Sequence, residues 1–109
     1  MRLFLLAVTL MLGAACGPTI GDACTSAADC GGAVCLTRDF TPAGSCSTSC
    51  LLDTPTNSCP SGSTCVKDAL GQGTPGCMRT CNPHVTCRTG YLCKSANGSE
   101  PVCIGPKGI

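Results

Sequence analysis

The sequence predicts a small disulfide-rich fold: three tandem four-cysteine units with short β-hairpins and little or no helix in the mature chain. Three observations predict it. Cysteine supplies 13 of the 109 residues, a density at which a short chain reads as a disulfide scaffold. Twelve of these cysteines fall into three groups of four: Cys24, Cys30, Cys35, Cys46; Cys50, Cys59, Cys65, Cys77; and Cys81, Cys87, Cys93, Cys103. Downstream of Cys16 large apolar side chains are few, chiefly Leu36, Phe40, Leu51, Leu52, Leu70, Tyr91 and Leu92, and Trp is absent. Such a chain cannot offset its conformational entropy by apolar burial alone, so cross-links must supply the difference.

The units are 24–46, 50–77 and 81–103, followed by a tail at 104–109. They are joined by Ser47-Thr48-Ser49 and Met78-Arg79-Thr80. In unit 1 the segment from Cys24 to Cys35 is small, polar and glycine-rich, with no 3.6-residue apolar period, so no long helix is expected. Leu36-Thr37-Arg38 begins a strand, Pro42-Ala43-Gly44 is a turn, and Ser45-Cys46 is the return. Unit 2 has a larger first loop, through Asp53 to Ser58, and a hairpin that turns near Leu70-Gly71-Gln72-Gly73. Units 2 and 3 share C-x-x-G-x-x-C, with Gly62 and Gly90 at the same place. A glycine there points to a positive φ or a close backbone approach. Asn97-Gly98 is the strongest turn signal in the chain, because both residues tolerate φ > 0.

Arg2 and the uncharged run Leu3 to Leu12, followed by Gly13-Ala14-Ala15, have the layout of a secretory signal over 1–15. The run is shorter than the roughly 20 residues that a membrane span needs. Leu12-Gly13-Ala14-Ala15-Cys16-Gly17 resembles a bacterial lipobox, with Gly13 where the commonest form has Leu. The resemblance implies cleavage before Cys16, acylation of Cys16 (palmitate and related chains) and attachment to a membrane. Gly17 after the cysteine resembles an outer-membrane address. Parity agrees, since an odd cysteine in an exported protein needs an explanation and removing Cys16 leaves an even set. Residues 16–23 then form the lipidated cysteine and its tether, whose seven residues after Cys16 span at most roughly 25 Å.

C-x5-C-x4-C-x10-C in unit 1, with Asp29 before the second cysteine and a hairpin after the third, resembles the colipase and Dickkopf superfamily. Val34 stands before Cys35, where colipase-type domains have a paired cysteine. The whole chain, lipobox included, resembles the small cysteine-rich lipoproteins of myxobacteria. Spacing alone leaves many pairings of twelve cysteines open. The superfamily resemblance implies Cys24–Cys35 with Cys30–Cys46, and by repeat Cys50–Cys65 with Cys59–Cys77 and Cys81–Cys93 with Cys87–Cys103. No such pair crosses a linker. The units are therefore expected to be closed knots that touch only their sequence neighbours, with disulfides rather than a core deciding whether the chain folds.

The formal charge is +1, from 7 Lys and Arg against 6 Asp and Glu. No basic patch with interleaved aromatics exists, which argues against nucleic acid as a partner. The closest cysteine pairs, Cys46/Cys50 and Cys77/Cys81, are C-x3-C rather than the C-x2-C common in zinc sites. His84, the only histidine, reads as a loop residue, and the six carboxylates form no catalytic pair. The carboxylates read as solvated loop residues, with one alternative for Asp29: acceptance of hydrogen bonds from the Gly31-Gly32 turn. No catalytic, cofactor-binding or metal residue is expected. The function read from these features is a non-enzymatic, membrane-anchored envelope lipoprotein whose stapled repeats present loops for adhesion or protein binding. The alternative is a secreted protease inhibitor or other disulfide-rich effector. It would offer Thr37 to Ser45 or Val66 to Gly76 as its loop, with Lys67 as the basic specificity residue.

Overall fold

A computed structural model describes residues 18–52, 58–82 and 85–109. It is a small disulfide-rich structure of three antiparallel hairpins. β1 (Val34–Leu36) pairs with β2 (Ser45–Ser47), β3 (Ser63–Gly71) with β4 (Thr74–Arg79), and β5 (Leu92–Lys94) with β6 (Val102–Ile104). The helical content of the described residues is one 3-10 turn, Ala27–Cys30. Gly31 ends it in the left-handed conformation, at φ 64°. Asn97 and Gly98 both have positive φ at their hairpin turn, and Gly62 and Gly90 have φ of 85° and 91°.

The register explains how the staples work. Cys35 faces Cys46, Cys65 faces Cys77, and Cys93 faces Cys103 across their hairpins. Side chains opposite one another on antiparallel strands share a face. Yet none of these neighbours bonds to the other. Cys35 is joined to Cys24 and Cys46 to Cys30; Cys65 to Cys50 and Cys77 to Cys59; Cys93 to Cys81 and Cys103 to Cys87. In every unit the segment before the hairpin is thus clamped across one hairpin face by two adjacent bridges.

The residues flanking those cysteines point the other way, since side chains alternate along a strand. Leu36 follows Cys35, Val66 follows Cys65, Met78 follows Cys77, and Val102 and Ile104 bracket Cys103. All five are buried and, with Phe40, Ala69 and Ala96, form one apolar core drawn from all three units. The core therefore runs through all three units, beyond the closed knots expected from the pairing. Leu51, Leu52 and Leu92, among the largest apolar residues, are instead 63%, 49% and 50% exposed.

The linkers are pairing segments rather than slack joints. Ser47 Oγ donates to Cys77 O (2.7 Å) and Cys77 N to Thr48 O (2.9 Å). Ser49 bridges Gly76, and Thr80 bridges Val102. Units 1 and 3 also touch directly, which corrects the picture of a linear array. Gly105 N donates to Phe40 O (2.7 Å) and Tyr91 Oη to Pro42 O (2.9 Å). The end of the expected tether is likewise part of the fold: Gly21 N donates to Cys46 O, and Cys46 N donates to Asp22 O, both at 2.9 Å.

Candidate functional site

The three hairpin loops meet at β3. Between Val66 and Gly71 the β3–β4 register shifts, and Asp68 takes a positive φ of 64°. Asp68 Oδ1 accepts from Gly73 N at 2.6 Å, which closes the loop on itself. Beneath it Val66 and Ala69 are fully buried. From unit 1, Arg38 Nη2 donates to Leu70 O (2.9 Å). From unit 3, Asn97 Nδ2 donates to Lys67 O (2.7 Å). The bulge is therefore held by its own aspartate, by an arginine 32 residues upstream and by an asparagine 30 residues downstream. Arg38, Lys67, Gln72 and Asn97 are exposed around it.

The two loops considered for protease recognition have a particular shape. A protease takes its substrate as an extended strand that adds to its own backbone. Lys67 is exposed, but the positive φ of Asp68 turns the chain immediately after it and Asn97 occupies the Lys67 carbonyl. In the loop 37–45, Phe40 and Thr41 are buried, and Thr41 Oγ1 accepts from Arg38 N (2.8 Å) and donates to Leu36 O (3.1 Å). Phe40 and Thr41 thus pack into the body, whereas Lys67, Gln72, Gly73 and Thr74 remain exposed on a loop that turns directly after Lys67.

A second feature is an open groove of ≈ 600 Å³ beside the start of the described chain. Ile20, Ala33, Pro60 and Val85 supply apolar walls, and Arg79 and Thr80 supply polar ones. Cys16 and His84 lie outside the described residues.

Sulfur atoms cluster in each unit. Those of Cys24, Cys30 and Cys35, of Cys50, Cys59 and Cys65, and of Cys81, Cys87 and Cys103 lie within 4.8 Å of one another. The cause is the side-by-side placement of two bridges, and in disulfide form these sulfurs are not the thiolates that bind metal. Asp29 departs from expectation. It accepts from Thr25 N and Thr25 Oγ1 (both 2.9 Å) and from Ser26 N (3.3 Å), before the 3-10 turn rather than after it. The Thr25 backbone and hydroxyl bonds, then the Ser26 backbone bond, hold its carboxyl below the ordinary value of 3.8. This is the work of a capping residue at the start of a turn, where free N–H groups need acceptors.

Sequence reasoning singled out Lys67 but missed Arg38 and Asn97 as the ties that fix its loop. Asn97 carried a signal, as half of a turn dipeptide, but its side-chain partner lies in another unit. The chain matches no family model, no curated protein and no solved structure.

Proposed function

We propose that this protein is a non-enzymatic, lipid-anchored envelope protein that presents its cross-tied hairpin loops to a protein partner. The observation that carries the reading is the convergence of three loops on the β3 bulge, with Arg38 and Asn97 holding it from either side. A surface already ordered in its binding shape loses less conformational entropy on association. Disulfide-clamped hairpins are a means to that rigidity in a small chain. The leader over 1–15 and the lipobox-like context of Cys16 support export and anchoring. More than one acyl chain on Cys16 would give a stable hold on a membrane.

Two measurements test the reading separately. Palmitate labelling and the mass of the mature N-terminus test the anchor: label is expected at Cys16 and absent in Cys16→Ser, and label that persists in Cys16→Ser overturns it. Binding of the Cys16→Ser protein to envelopes of the cells that make it tests the loop surface. Saturable binding is expected, weakened at least tenfold by Arg38→Ala combined with Asn97→Ala. Unchanged binding by that double variant removes the loops from the interface. Titration against trypsin-like and subtilisin-like proteases separates the inhibitor reading, which micromolar inhibition lost in Lys67→Ala would establish.

A further inference from the structure

The Cys81–Cys93 bridge differs from the others in its access to solvent. Cys93 is the only exposed cysteine among the described residues. It lies on β5, which is exposed at all three positions and pairs with β6 alone among the described strands. Cys35, at the same place in unit 1, packs instead against Cys24, Cys30 and Cys46. We propose that Cys93 is a site of thiol–disulfide exchange that takes a small thiol without net negative charge.

The bridge borders an open hollow of ≈ 540 Å³, which Cys81 and Cys93 line together with Thr80, Asn82, Glu100 and Pro101. Access helps to set the rate of exchange, and exposed bridges are the labile ones. The Cys30–Cys46 bridge also borders a groove, but its two cysteines are only 7% and 3% exposed. An incoming thiol that finds both bridges beside open space therefore meets an exposed cysteine only at Cys93.

The step balances without an external oxidant. The attacking species is a thiolate. It bonds to Cys93 Sγ, the Cys81–Cys93 bond breaks, and Cys81 Sγ leaves with the electron pair and takes a proton from water. Attack falls on Cys93 because Cys81 is only 4% exposed. The products are a mixed disulfide on Cys93 and a thiol on Cys81. The Cys87–Cys103 bridge is untouched, so the unit 3 hairpin keeps one of its two staples.

The lining sets the class of thiol. Glu100 is its one charged residue among those described. A thiolate that carries a second anionic group meets a like charge there, whereas one that carries an ammonium group meets an opposite charge. Lys94 follows Cys93, but its Nζ donates to Pro106 O (3.4 Å) in the tail. Glu100 is exposed, so the discrimination is greatest at low ionic strength and fades as salt screens it.

The test treats the Cys16→Ser protein with limiting 2-aminoethanethiol at low ionic strength, then acid quench, alkylation and peptide mapping. The first adduct is expected on Cys93, with the alkyl label on Cys81, at least tenfold ahead of any other bridge. Earlier opening of a different bridge, or equal opening of all six, would overturn the site. An adduct on Cys81 would overturn the direction of attack. Mercaptoacetate, which carries a carboxylate, should react at Cys93 several-fold more slowly. Glu100→Gln controls for the intrinsic reactivity of the two thiols, and the ratio of their rates should fall several-fold in that variant. A ratio equal to wild type would overturn the assignment of thiol class.

Discussion

The hairpins of units 2 and 3 carry the same cysteine register but distribute burial differently between their strands. In unit 2, each strand places an apolar residue next to its cysteine, Val66 beside Cys65 and Met78 beside Cys77, and both are buried. In unit 3, β5 is exposed at all three positions while β6 is buried at all three. The staples are equivalent, so the difference comes from neighbours. β6 lies against the end of β4 through the Thr80–Val102 bridge. β5 carries Lys94, and a charged residue suits an outer strand because it discourages pairing with another chain. The lesson is that the cysteine pattern sets where each hairpin is clamped, whereas contact between units sets which strand is inside.

Four experiments sharpen or break that comparison, from the largest expected effect downward. The largest should follow replacement of Cys87 and Cys103 together by Ser. Loss of a native bridge in a small domain costs about 2–5 kcal/mol. Because Val102 and Ile104 bracket Cys103 in the shared core, amide protection should fall at Val66 and Met78 as well as in unit 3. Loss confined to residues 81–103 would restore the picture of independent units.

Next come two single truncations measured by denaturant unfolding with disulfides intact. Met78→Ala empties a site that is 2% exposed and should cost about 2–4 kcal/mol. Leu92→Ala acts on a half-exposed side chain and should stay within about 0.5 kcal/mol. Equal effects would mean that β5 packs as tightly as β4.

A smaller effect is expected from Asn97→Gly, which keeps the positive φ and removes the donor to Lys67 O across units 2 and 3. The expected loss is about 1 kcal/mol, with faster amide exchange in residues 67–73. No change in that exchange would show that the Asp68–Gly73 bond holds the loop unaided.

The smallest effect concerns Asp29. Its folded-state pKa is lowered by the Thr25 and Ser26 bonds. Its contribution is therefore fully present above the unfolded value near 3.8 and is lost as pH falls through the lower folded value. Asp29→Asn should be slightly less stable than wild type at pH 7, and the gap should close at acid pH. A gap that widens on acidification would reverse the sign assigned here.

Much of the fold was legible in the residues. Groups of four cysteines marked the units, the absence of a 3.6-residue period excluded long helices, and Gly62, Gly90 and Asn97-Gly98 marked positive-φ positions. The shared core was not legible, for a physical reason. β1, β2, β5 and β6 are each three residues long, so alternation of one cysteine with one or two apolar neighbours is too brief to stand out as a period. In retrospect the signal was the residue after a hairpin cysteine: Leu36, Val66, Met78 and Ile104. The loop surface was hidden for a related reason, since Arg38 and Asn97 find their acceptors about thirty residues away.

By itself, then, the sequence determined that this chain is a stapled scaffold of three hairpins, because cysteine density and scarce apolar mass leave no other route to a folded state. It also determined where the backbone turns, because glycine and asparagine tolerate conformations that other residues avoid. Only the tertiary structure decided that the three units share one core and that units 1 and 3 meet at Tyr91. It also decided that Arg38 and Asn97 converge on one bulge. Those contacts depend on the angles at which short hairpins pack, and backbone carbonyls such as those of Pro42, Lys67 and Leu70 accept hydrogen bonds whatever side chain they carry.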